Sequence, residues 1–150
     1  MTTASTAHAL IKARIEANKP ASVVSLRWQN EDGDPLPSEP APFLYTELDP
    51  DKQFLAGFGG GLGSNLWRNP ARIACFVFVP RGWGLQTATD LAETIAALFR
   101  GYRTTDLQCF DASVYTLGTG SGIRPPGVDS EADNYFAACA EIALFYDQIG

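Results

Sequence analysis

The chain has 150 residues, enough for one domain with a substantial core, and no internal repeat or domain boundary interrupts it. Its 45% hydrophobic and 19% charged content is that of a globular protein and excludes wholesale disorder. A net charge of −6 argues against a nucleic-acid-binding surface, which needs clustered Lys and Arg to neutralise phosphates. The cysteines, Cys75, Cys109 and Cys139, have no metal-like spacing, and three cannot all pair within one chain. Each lies in an apolar, β-like run and reads as a core thiol made in a reducing compartment. No basic start followed by an apolar core marks a leader peptide, and the apolar runs are too short to span a bilayer. The expectation is a soluble protein made in the cytoplasm.

Residues 7–18 read as a helix, with Ala7, Leu10, Ile11 and Ile15 on one face and His8, Lys12, Arg14 and Glu16 on the other. Asn18 and Pro20 end it. Residues 23–29 alternate as a half-buried strand, with Val24, Leu26 and Trp28 to one side and Val23, Ser25 and Arg27 to the other. A loop over residues 30–42 follows, acidic at first and then carrying Pro35, Pro37, Pro40 and Pro42, without the apolar surface to order itself. Residues 43–48 resume as a strand.

The segment 53–69 is the least regular. Five glycines between Gly57 and Gly63 are interleaved with Phe54, Leu55, Phe58 and Leu62, which predicts a loop over about 56–66. Residues 73–79 are apolar on both faces, the pattern of a central strand. Pro80-Arg81-Gly82-Trp83-Gly84 turns the chain into a helix over 85–100, striped by Leu85, Ala88, Leu91, Ala92, Ile95, Leu98 and Phe99. Thr87 and Asp90 suggest a weak capping box, with Asp90 and Glu93 near the positive end, and Arg100-Gly101 a C-terminus. Residues 107–117 predict one bent strand or a strand pair, 118–134 a surface loop, and 135–146 a long strand with Glu141 its main polar residue. The order α-β-β-β-α-β-β predicts an α+β fold, an antiparallel sheet with both helices on one face.

Catalytic chemistry is hard to assemble from these residues, and no enzyme activity is expected. His8, the one histidine, falls on the polar side of a terminal helix, and strand-buried cysteines do not offer an activated thiolate. The glycine run lacks the Lys-Ser/Thr ending of a phosphate loop and no helical pattern follows it, so no nucleotide cofactor is expected. Glu31, Asp32 and Asp34 around Gly33 do not meet the twelve-residue calcium pattern, so no metal is expected either. What stands out instead is aromatic and apolar material in loops. Phe58, Gly60, Leu62, Trp67, Arg68, Arg81 and Trp83 are candidates for protein–protein contact, since Trp and Arg dominate binding hot spots. The competing explanation, that each caps the edge of the chain's own core, carries equal weight for any one of them.

Taken in order, these segments resemble the tail terminator (tail completion) proteins of long-tailed bacteriophages and gene transfer agents, over almost the whole chain. The resemblance is carried by the N-terminal helix, by Trp28-Gln29-Asn30 before the proline-rich loop, and by Phe43-Leu44-Tyr45-Thr46-Glu47-Leu48. Most telling is Cys75-Phe76-Val77-Phe78-Val79-Pro80-Arg81-Gly82-Trp83-Gly84, leading into Ala88, Leu91-Ala92, Ile95 and Phe99-Arg100-Gly101; Phe145-Tyr146-Asp147 closes the last strand. Asn69-Pro70-Ala71-Arg72 stands where the family has a glycine before the central strand. The resemblance implies a virion structural protein, assembled in the host cytoplasm, that forms a hexameric ring at the head-proximal end of the tail. Its implied partners are further copies of itself, the tail tube protein, and a neck or head-completion protein. The alternatives are a neck, head-completion or tail-tube subunit, and, from another class, a small-ligand-binding domain or enzyme using the glycine-rich loop.

Overall fold

A computed structural model describes residues 2–119, 123, 125–128 and 134–150. The elements are α1 (Ala4–Ala17), β1 (Ser25–Trp28), β2 (Phe43–Pro50), β3 (Phe54–Gly57), β4 (Leu66–Pro80), α2 (Leu85–Phe99), β5 (Gln108–Thr119) and β6 (Tyr135–Ile149). The fold is α+β. The strands form one sheet in the order β1-β2-β4-β6-β5, with β3 also on β4, and every pairing is antiparallel except β1 with β2.

Strand β4 organises this sheet because its side chains are apolar on both faces. Ile73, Cys75, Val77 and Val79 lie in the larger core with Ala7, Ile11 and Ile15 of α1 and Ala88, Ala92, Ile95, Ala96 and Phe99 of α2. The alternate residues Ala74, Phe76 and Phe78 point to the other face, where they cluster with Phe43, Tyr45, Tyr135, Ala137 and Cys139. Phe43 stacks on Phe78 with ring centroids 4.7 Å apart, and Tyr135 meets Phe43 edge-on at 5.0 Å. Among the described residues neither α1 nor α2 contributes to this second cluster; Val128 belongs to it, and Leu36 and Ile123, from the two long connections, pack against it.

One arginine fixes those connections. Arg27 is buried beside the Phe43 ring, and its guanidinium donates to the backbone carbonyls of Asp34 and Pro126. Burial works against its charge, and the Asp34 carboxylate opposes that effect. The segments approach so closely that a Cβ on Gly33 would lie 2.2 Å from the Pro126 carbonyl oxygen, which leaves room only for glycine.

Along β4, β2 pairs with Ala71 to Phe78 and β3 with Leu66 to Arg68, so the two follow one another on the same flank. Strand β6 covers the other flank for all of β4, from Leu66 opposite Ile149 to Pro80 opposite Tyr135. Strand β5 reaches only as far as Gln108 opposite Phe145. Beyond that point the sheet narrows to β3, β4 and β6, a three-stranded arm. Pro70 is tolerated at the root of this arm because its carbonyl, which accepts from the Asp51 N–H at 2.9 Å, faces the break between β2 and β3. Its missing N–H lies on that same side, where the ladder makes no demand on it.

Several sequence expectations need correction. The segment 53–69 is not irregular: it contains β3 and the start of β4, adding a strand to the expected order. Helix α1 begins earlier, Leu10 is exposed, and His8 stands edge-on to Trp28 at 6.3 Å instead of facing away. Val23 is buried and Val24 exposed, the reverse of the expected alternation, because the strand starts only at Ser25. The capping box is absent: Gly84 is the N-cap of α2, Thr87 donates back to the Trp83 carbonyl at 3.0 Å, and Asp90 lies beyond the first turn. Leu85, assigned to the buried stripe, is exposed. Of the two readings of residues 107–117, the single bent strand holds: β5 runs Gln108–Thr119 with two register shifts. Of the 118–134 loop, residues 120–122, 124 and 129–133 lie outside the described residues.

Candidate protein-interaction surfaces

The arm is a β3–β4 hairpin braced by β6. Phe54 pairs with Arg68 and Leu55 with Trp67, and a bulge follows before Gly57 meets Leu66. Asn65 and Gly150 exchange backbone hydrogen bonds of 3.2 and 3.0 Å, extending the β4–β6 ladder by one step. The Trp67 indole N–H donates to the Gly150 O at 2.8 Å. Arg68 forms a two-point ion pair with Asp147, at 2.9 and 2.8 Å, and lies 3.8 Å over the Phe145 ring, which in turn meets Phe110 at 5.0 Å. These contacts hold the base of the loop in place.

The tip carries apolar side chains with nothing over them. Phe58 is 90% exposed and Leu62 105%. The turn closes through Ser64 N–H to Gly61 carbonyl at 3.1 Å, and Gly60 lies so close to Ser64 that a Cβ there would come within 1.9 Å of its carbonyl oxygen. Residues 53–67 contain no charged side chain, the nearest being Lys52 and Arg68. Exposed apolar residues are ordinary when scattered. Here Phe54, Phe58, Leu62 and Ile149 fall on the arm, with Phe110 of β5 at its root, a grouping that makes this end a candidate interaction surface.

The other end of β4 leads into the turn before α2. Trp83 N–H bonds to the Pro80 carbonyl at 3.2 Å, Gly82 and Gly84 take the positive φ values of 91° and 92°, and Arg81 N–H pairs with the Asn134 carbonyl. Trp83 is 48% exposed and Leu85 58%, with Arg81 exposed beside them. Near this turn a cleft of about 190 Å³ opens between the proline-rich segment and β6, lined by Leu36, Pro37, Ser38, Pro40, Asn134 and Tyr135. Fifteen residues of strand separate the two ends, about 45 Å at the usual rise of an extended chain.

The expected contact residues therefore divide. Phe58, Gly60 and Leu62 sit together at the arm tip, and Arg81 and Trp83 at the far turn. Trp67 and Arg68 lie on β4, half-buried and committed to Gly150 and Asp147, not in a loop. The sequence reading missed the cleft. Leu36, alone among prolines, was the signal for it.

Several polar groups elsewhere are engaged within the chain. Arg72 bridges Asp49 at 2.6 Å and Glu141 at 3.4 Å, and Tyr115 donates to Glu141 at 3.1 Å. Lys12 holds Glu31 at 2.9 Å. Cys75, Cys109 and Cys139 are buried free thiols. Burial pushes Cys75 up to about 12, and Cys109 and Cys139 each to about 11. Among the described residues no group of three or more His, Cys, Asp or Glu side chains is arranged to hold a metal ion, and no helix is long and apolar enough to cross a membrane.

A scan of the sequence against protein-family models finds no match, and a search of curated proteins finds none.

Proposed function

We propose that this chain is a structural subunit of a phage-type tail, forming a ring at the head-proximal end that stops tube growth and receives the neck. The observation that carries this reading is the braced arm ending in the uncharged Phe58–Leu62 tip. An acidic chain that leaves two large apolar side chains uncovered on an ordered support is suited to assembly with other proteins. The resemblance to tail terminators adds the kind of assembly. Its strongest segment, residues 75–101, forms the buried half of β4, the Trp83 turn and α2.

Deleting the gene and viewing the particles by electron microscopy tests the reading. Loss of a terminator leaves abnormally long tails that do not join heads. Tails of normal length, or filled heads that leak DNA, point instead to a neck or head-completion subunit.

A further inference from the structure

We propose that copies of this chain join head to tail, the Phe58–Leu62 tip of one seated in the cleft between the proline-rich segment and Tyr135 of the next. This names the contact behind the proposed ring and rests on that reading. The first argument is shape. One end of the β4–β6 pair carries a projecting apolar tip, and the other carries a recess walled by Leu36, Pro37, Pro40 and Tyr135. The second is size. The recess, about 190 Å³, is open to solvent and lined by both apolar and polar groups, and it has the volume to admit a phenyl ring.

The third argument is charge. Each copy carries −6 and repels the next over most of its surface. Residues 53–67 are uncharged, and so are all six residues lining the cleft, with the exposed Glu39 between Ser38 and Pro40 at its edge. This joint therefore brings an uncharged tip to a cleft bordered by a single nearby carboxylate in the proline-rich segment. The fourth is preorganisation. Arg27 ties down the start of the proline-rich segment through the Asp34 carbonyl at 2.6 Å, and Asn65–Gly150 pairing supports the base of the tip, so both sides are anchored at their bases before contact. Because tip and cleft are different patches at opposite ends, the contact is heterologous. Repetition of one such contact closes a ring when its rotation divides a full turn.

The test uses two variants at exposed positions, Phe58→Asp/Leu62→Asp in the tip and Ser38→Arg in the cleft, with particle mass read by light scattering and native mass spectrometry. Melting curves matching the wild type show that both are folded. The wild type is expected as a closed multimer and each variant as a monomer. Mixing the variants is expected to give a one-to-one dimer and nothing larger, since only one intact tip can meet one intact cleft. A multimer that survives in either variant overturns the proposed joint and leaves the ring reading standing. A mixture that stays monomeric overturns it as well, as does a wild type that is monomeric at high concentration. In that last case the tail lengths after gene deletion still judge the terminator reading separately.

Discussion

The two halves of β4 share one continuous ladder with β6 but live in different surroundings. From Ile73 to Pro80 every residue is buried, with helices on one face and the Phe43–Tyr135 cluster on the other. From Leu66 to Arg68 the strand is half-buried, held by β3, the Arg68–Asp147 pair and the Trp67–Gly150 bond. Backbone pairing is equal along both halves, so it does not separate them; side-chain burial does. The buried half supplies stability, and the arm converts a rigid ladder into a support for a surface that faces outward.

This contrast predicts a graded series of effects. Phe78→Ala removes a fully buried ring stacked on Phe43 and should cost about 3–5 kcal/mol in urea unfolding. Arg27→Met strips the donors from the Asp34 and Pro126 carbonyls, and a loss of about 1–3 kcal/mol is expected. Limited proteolysis should then cut residues 30–42 faster than in the wild type. Arg68→Ala, at a half-exposed ion pair, should cost no more than about 1 kcal/mol, and raised salt should narrow the difference. The Phe58→Ala and Leu62→Ala changes should stay within about 0.5 kcal/mol of the wild type in stability, because these two side chains are almost fully exposed. A large stability loss at the tip would erase the distinction between the halves.

The thiols extend the comparison to pH. Their folded values of about 11 to 12 lie above the ordinary thiol range near 8.5, so the folded chain keeps protons that the unfolded chain gives up. Their contribution is therefore complete below about pH 8.5 and is lost as pH rises toward 11 to 12. Urea midpoints should fall progressively across that window. A thiol reagent at neutral pH should label none of the three in the folded chain and all three after unfolding.

The same contrast decides what could be read from sequence. The buried half of β4 shows itself locally, since Ile73 to Val79 is apolar without a break. Helix α2 is equally plain from Ala88, Ala92, Ile95 and Phe99, though its cap and the exposure of Leu85 depend on a glycine turn that periodicity does not register. The arm half is hidden. Its ladder comes from β6, some eighty residues away, and Asn69-Pro70 and the glycines break every local strand signal. Phe58 and Leu62 were recognisable as apolar residues among glycines. Trp67 and Arg68 looked the same, and only the return of β6 with Asp147 and Gly150 sets them apart. The cleft was least visible, because Leu36 and Tyr135 meet only after the proline-rich segment folds back under Arg27.

The most direct measurement of the central claim is tube length in vitro. Purified chain is added to tail tube protein during polymerisation, and the tubes are measured by electron microscopy. The account predicts that the wild-type chain arrests growth and leaves a ring at one tube end, while the Phe58→Asp/Leu62→Asp variant leaves the tubes lengthening. Tubes that continue to grow, uncapped, in the presence of excess wild-type chain would contradict it.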